Sequence, residues 1–326
     1  MKLIDIILSR DRRLVAPFAT YPALKIVGAT VSEALSDPRV HSKAALTTVS
    51  EFGCDVAFPL MDLTVEAEAF GVKVKFSTEE PPTVSEYIPT DEVGGLVCPR
   101  PESGGRLPLF VETARIMTQG SEGALTGFYL VGPFTLAGQL VGVSTLLRAV
   151  RRDPEMVSSL VELAAELMAR YAGALADEGV DILAIAEPTA GLVSVKDFSR
   201  FSKQFIAEVV ERVKACWVLH ICGRSGHLLE SMTEIGVDGI SLDHNVDLLE
   251  ASARIPNDVV LLGNYSPVKV AMEDESEVRG GVRQLMERMR DVPNFALSTG
   301  CDVPYKAPLE NVKAFVEVGK AYPQPK

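Results

Sequence analysis

The amino-acid sequence predicts a single α/β domain over residues 1–326, folded as a closed (β/α)8 barrel, or TIM barrel. Three observations predict it. A junction repeats in "EFGCDVAFPL" (51–60), "DEGVDILAIA" (177–186) and "EIGVDGISLD" (234–243): a helix ends at Gly, an apolar residue and Asp follow, and a short apolar run comes next. Short apolar runs alternate with helical patterns along the chain, the order that builds a parallel sheet. No Gly-rich dinucleotide fingerprint is present, which favours a closed barrel over an open sheet.

The elements follow in order. The start, "MKLIDIILSRDRRL", has a short apolar stretch without a long apolar core or a small-residue cleavage site, so it is not read as a signal peptide. Gly at each repeated junction suits the position just past a helix end, where positive φ is needed. The apolar runs after it read as strands buried on both faces. Further strands are expected at 125–131, 216–221, 259–264 and 295–299. Residues 77–108 are rich in Pro and Gly and predict a long loop excursion over one barrel face. A helix over 153–179 opens with Asp153 as cap and Pro154 at its first position. A second, over 194–215, opens with Ser194 and has Asp197 three residues on. A third, over 308–322, closes the chain.

Composition narrows the function. The chain is 47% hydrophobic and 23% charged, enough for a barrel-sized core. Its net charge of −12 argues against nucleic acid as a partner, because phosphate backbones need a basic face. No apolar segment is long enough to span a bilayer. Five cysteines are too few for a disulfide scaffold, so the expected compartment is the reducing cytoplasm. A homo-oligomer is compatible with all of this.

The chemistry concentrates at "WVLHICGRSG" (217–226). His220 and Cys222 are two positions apart and so face one way, near the C-terminal end of a strand, where barrel enzymes place their sites. Cys301, in "STGCDVP" (298–304), also directly follows a predicted strand and would share that rim. Imidazole plus two thiolates form an uncharged zinc site with one open position. Read alone, an H-x-C in a strand is most often a packed cysteine beside a hydrogen-bonded histidine; the second strand-end cysteine is what raises the metal reading to equal standing. Cys54 and Cys216 look like core residues, and Cys98 lies in the loop region. Asp62, Glu187 and Asp243 each end an apolar run. An unpaired buried carboxylate is costly, so each either caps a helix, pairs with a rim cation, or serves the site as ligand, support for His220 or substrate contact. His41, His227 and His244 read as structural or solvated. Arg100, Arg224 and Lys306 are rim cations available to an anion.

"LHICGRSGHLLESMTEIGVDGISLD" followed by "TGCDVPYKAPLENVKAF" resembles the uroporphyrinogen decarboxylase superfamily. The resemblance extends to "FGCDVAFPLMDLTVEAEAFGVKVKF", "LVGPFTLAGQLVG" and "EPTAGLVSVKDFSRF", and so covers nearly the whole chain. Within the superfamily the match is to the zinc-dependent methylcobamide:thiol methyltransferases, which carry H-x-C and a later Cys. The resemblance implies Zn2+ held by His220, Cys222 and Cys301, with Asp243 as fourth ligand and Glu187 as the second candidate. It implies methylcobalamin on a separate corrinoid protein as donor, and as acceptor a thiol such as coenzyme M, or another acceptor such as tetrahydrofolate. Asp62 stands where the decarboxylases keep an aspartate. Arg12 and Arg13 are present, but the decarboxylases' paired-arginine pattern is not. The competing readings are a metal-free decarboxylase-like lyase and a non-catalytic corrinoid- or tetrapyrrole-binding protein. A zinc hydrolase is disfavoured, since no H-E-x-x-H occurs.

Overall fold

The computed structural model describes residues 2–325. Among them are nine strands: β1 (Val56–Ala57), β2 (Lys73–Lys75), β3 (Thr83–Glu86), β4 (Leu125–Val131), β5 (Ile182–Ala186), β6 (Cys216–Ile221), β7 (Gly239–Leu242), β8 (Val260–Tyr265) and β9 (Phe295–Thr299). Seven form one sheet in the order β1-β4-β5-β6-β7-β8-β9. Every neighbouring pair is parallel, as helical crossovers require.

The sheet curls, and its two faces belong to different cores. On β5, Leu183 and Ile185 pack outward against the helices, whereas Ile182, Ala184 and Ala186 face a separate inner cluster with Val56, Tyr129, Val218 and Leu262. Leu3, Ile4 and Ile7 of the helix Leu3–Leu8 join that inner cluster. Leu3 lies against Gly239 at the entry of β7, so this helix plugs the N-terminal end of the sheet. The apolar stretch at the chain's start is therefore core.

The repeated junction has one physical purpose. Gly53, Gly179 and Gly236 all take positive φ, between 77° and 89°, where a side chain is strained. The aspartate two residues on then accepts a backbone N–H from the neighbouring strand. Asp181 takes Thr126 N at 2.8 Å, Asp238 takes Trp217 N at 2.9 Å, and Asp55 takes Val15 N at 2.8 Å. Each pairing satisfies a donor at a strand entry that the ladder leaves unpaired. Residues 14–16 thus stand to β1 as β4 stands to β5. Their other edge bonds to β9: Ala16 N reaches Leu297 O at 2.8 Å, and Leu297 N reaches Leu14 O at 2.9 Å.

The helices begin largely where their caps place them. Asp153 accepts Met156 N at the head of Pro154–Asp177. Ser194 accepts Asp197 N at the head of Val195–Phe198. That helix runs on through a wider turn at Ser199–Lys203 into Gln204–Arg212. The 77–108 region is more ordered than a loop: β3 pairs antiparallel with β2. Arg106, at the end of the excursion, lies with its guanidinium 4.7 Å from the Phe76 ring centre and pairs with Asp62 after β1, which ties the excursion to the curled sheet. Among the described residues no single helix is long and apolar enough to cross a membrane.

Candidate metal centre

β6 delivers His220 to the inside of the C-terminal end of the sheet, where it is 2% exposed. Its register partner on β7 is Ser241, whose Oγ lies 2.9 Å from His220 Nδ1. With the Nδ1 proton donated to Ser241, Nε2 turns its lone pair toward the mouth. Nε2 is 2.8 Å from Cys222 Sγ, and Cys222 Sγ is 3.6 Å from Cys301 Sγ. All three ligand atoms lie within 4.8 Å of one another, and theirs is the group among the described residues that could hold a metal ion. The Phe18 ring, 5.9 Å away centre to centre and edge-on, covers the imidazole from the inner face of the curled sheet.

This geometry fits zinc. Tetrahedral Zn2+ with bonds of about 2.3 Å to sulfur and about 2.0 Å to nitrogen sets its sulfurs roughly 3.8 Å apart and nitrogen and sulfur roughly 3.5 Å apart. The observed sulfur pair matches, and the nitrogen–sulfur pair opens by less than ~1 Å to admit the ion. The thiol chemistry agrees. Hydrogen bonds from Cys222 and then His220 pull the Cys301 thiol down toward the thiolate. Cys222 is pushed up, by that same hydrogen bond, by burial and by the nearby charge of Cys301. A cation held between the two sulfurs would favour the thiolate form of both.

The carboxylates are placed differently. Asp243 is 7% exposed and lies beside the trio without joining it. Its Oδ1 accepts Asn245 N at 2.9 Å and Asn245 Nδ2 at 2.6 Å and faces His244 Nδ1 at 3.0 Å. Glu187 is fully buried, and its carboxylate accepts Phe134 N, Thr135 N and the Ser202 hydroxyl. It caps the helix Pro133–Val141 that follows β4, and Gly132 leaves the room, since a Cβ there would stand 2.4 Å from a Glu187 oxygen. With its lone pairs so engaged, it is not positioned as a ligand. Asp62 pairs with Arg106 at 2.6 Å and accepts Thr64 N and Oγ1. Its side chain is wholly enclosed.

Arg12 is held by Asp55, and the buried Arg13 donates to the carbonyls of Met289, Arg290, Val292 and Phe295. Of the rim cations, Lys306 pairs with Glu79, Arg224 lines an outer groove with Asp247 and Glu250, and Arg100 lines another with Arg170 and Asp177. His41 is structural, accepting Leu60 N at 2.9 Å, and Cys54 is core.

Several residues of the site were not singled out by sequence reasoning. Ser241 was readable only through the β6–β7 register. Asp302 directly follows Cys301, and burial with the Cys301 charge pushes its carboxyl well up. Tyr129 is an inward β4 residue whose hydroxyl is buried without a partner. Gly300 carried no chemical signal, and Arg106 lay inside the supposed loop.

Two expectations arise here. Ser241→Ala should weaken metal affinity by about 10- to 100-fold, because it frees the imidazole to turn; competition against a chromophoric chelator measures this. Glu66, whose Oε1 accepts Val131 N, is pushed by burial up to about 7. A carboxyl raised in the folded state contributes stability below its ordinary value near 4.5, and loses it as pH climbs through 7. Glu66→Gln should therefore raise thermal stability at pH 8, by about 3 kcal/mol at most, and leave it nearly unchanged at pH 4.5. Melting curves of both proteins across that range check it.

The sequence model of the family described as uroporphyrinogen decarboxylase (URO-D) matches residues 12–322. A methylcobamide:CoM methyltransferase, MtaA of Methanosarcina barkeri, is 27% identical over 304 residues, covering 91% of this chain and 88% of its own. A uroporphyrinogen decarboxylase of Thermus thermophilus is 28% identical over 298 residues, covering 89% and 86%. Among solved structures, a methyltransferase from Methanosarcina mazei superposes with a TM-score of 0.90 at 25% identity, over 98% of this chain and 97% of its own.

Proposed function

The chain belongs to the uroporphyrinogen decarboxylase family, and from that premise we propose that it is a zinc-dependent methyltransferase moving a methyl group from a methylated corrinoid to a thiol. The donor is methylcobalamin on a partner corrinoid protein, and the fold is a single closed (β/α)8 barrel over residues 1–326. The observation that carries this is the convergence of His220, Cys222 and Cys301 from the ends of β6 and β9. Closure is supported by residues 14–16, which hydrogen-bond to β9 on one side and to the β1 entry on the other. The relatives named methylcobamide:CoM methyltransferases support the reaction class.

Zn2+ bound by His220, Cys222 and Cys301 would favour the thiolate form of an acceptor thiol near neutral pH. The chain's own groups do the rest. Ser241 fixes the imidazole, and Phe18, Phe58 and Tyr129 form a mutually packed aromatic floor that keeps water out from below. In the transfer, the acceptor sulfur forms a bond to the methyl carbon. A methylated corrinoid on the partner would supply the methyl group and keep the bonding electron pair, and the thiol proton would leave to solvent. Asp243, beside Cys222, is our candidate for the fourth position, once it releases His244.

The lyase reading is weaker here because Asp62 is locked to Arg106, and Arg12 and Arg13 are held by other partners. The five free cysteines fit a reducing cytoplasm. The test is to mix the purified protein with free methylcobalamin and a panel of small thiols and follow demethylation spectroscopically. Turnover abolished by chelation and restored by zinc supports the reading. Decarboxylation of a porphyrinogen, or tight corrinoid binding without turnover, replaces it.

A further inference from the structure

Cys222 and Cys301 lie 79 residues apart in the chain, yet their sulfurs stand 3.6 Å from each other with nothing between them. A disulfide bond is about 2.05 Å long, so the two sulfurs need to close by only about 1.5 Å to be joined. The chain permits that closure from one side. Gly223, directly after Cys222, takes a φ of 75°, and a Cβ there would meet nothing within 4 Å, so the loop after β6 has room to shift. Gly300, directly before Cys301, is pressed against the backbone of His244 and keeps the β9 side in place. Both cysteines are partly exposed, so a small oxidant reaches them. The other cysteines are not placed for this. Cys54 is buried in the outer core, Cys216 sits at the opposite end of β6, and the Cys98 sulfur lies in the excursion, 3.6 Å from Pro99 O. Among the described residues no other two cysteine sulfurs are in hydrogen-bonding contact.

We propose that this pair is an oxidation switch: a peroxide joins Cys222 to Cys301 as an intramolecular disulfide, and the joined sulfurs release the metal. The bond follows from the sulfur geometry alone; the release rests on the zinc reading above. One sulfur attacks the peroxide, the O–O bond breaks, and a sulfenic acid and one water form. The second sulfur then displaces that oxygen as a second water, and the S–S bond forms. The two thiols give up two electrons and two protons, and the peroxide takes up both as water. The metal ligand is the thiolate, which a disulfide no longer offers, so His220 is left as the one ligand of the three. A small dithiol reverses the change by thiol–disulfide exchange. Oxidation would thus stop the reaction without damage to the fold.

The experiment treats the full chain, zinc-free and zinc-loaded, with a small excess of hydrogen peroxide. Intact mass, thiol titration after denaturation and a non-reduced peptide map read the sulfur chemistry, and a chromophoric indicator reads free zinc. In both forms the mass should fall by two hydrogens, the thiol titre should fall by two, and the map should show one cross-link, Cys222 to Cys301. In the loaded form zinc should appear in step with the cross-link, one ion per cross-linked chain. Dithiothreitol should restore both thiols and zinc uptake. Cys98→Ser should change none of this, and Cys301→Ala should lose the cross-link. Oxygen added at either cysteine without a cross-link, a cross-link that involves another cysteine or a second chain, or zinc that stays on the cross-linked chain overturns the inference and leaves methyl transfer standing. Reduced protein that takes up no zinc overturns the methyl-transfer reading instead, and the metal-release half of the inference with it.

Discussion

On the proposed zinc reading, replacing Cys301 by alanine is expected to leave a folded protein that no longer binds zinc and has lost all measurable methyl transfer. The substitution removes one sulfur from a three-atom group in which the two sulfurs stand 3.6 Å apart. It leaves His220 and Cys222, which alone do not enclose an ion. Zinc sites built from thiolates and imidazoles bind with about 10–16 kcal/mol when complete, so a third of the protein ligands should be worth several kcal/mol, or on the order of 10³-fold in affinity. The fold has little at stake, because Cys301 is partly exposed and makes no contact with the helix layer's core cluster. Cys54→Ala is the matched control: that thiol is buried in the outer core, with burial pushing it up to about 12, and its loss should leave zinc untouched. Metal content by mass spectrometry, with thiol-dependent demethylation of methylcobalamin, reads both variants. One zinc per chain in Cys301→Ala would show that the cluster is not the metal site.

Gly300→Ala is expected to do nearly the same damage while keeping every ligand. A Cβ at residue 300 would stand 2.5 Å from the backbone nitrogen of His244 and 3.2 Å from the carbonyl carbon of Asp243. Both are main-chain atoms in the loop after β7, so neither yields as a side-chain tip would. Gly300 N is also tied to Tyr265 O at 2.8 Å. The strain therefore falls on the chain just before Cys301. Ligand distances in metal sites hold to about ±0.2 Å, and misplacement by about 1 Å costs on the order of 10²-fold in rate. The expected result is a protein with both thiols titratable, a near-normal circular dichroism spectrum, and zinc affinity and turnover down about 10²-fold. Full zinc occupancy with wild-type turnover would mean that the loop adapts and that the close approach is incidental.

The carboxylates show why strand-end acids could not be assigned from the chain alone. Asp62, Glu187 and Asp243 share one pattern, an acid closing an apolar run. In three dimensions one is an ion pair with Arg106, one a helix cap on a neighbouring unit, and one a partner of Asn245 and His244 in the loop after β7. Each role depends on a partner 44, 53 or 2 residues away.

What the sequence determined by itself were the features that repeat at short range. Apolar runs bounded by Gly and Asp set the strands, caps set the helix starts, and H-x-C placed two donors on one side of β6, since side chains in a strand alternate at period two. The tertiary structure alone decided which ends meet and which polar groups stay unsatisfied. Ser241 reaches His220 because β7 pairs with β6 in one register. Cys301 reaches Cys222 because Gly300 lets two backbones touch. Those outcomes depend on non-local distances, which hydrophobic packing of the whole sheet sets and no stretch of chain specifies.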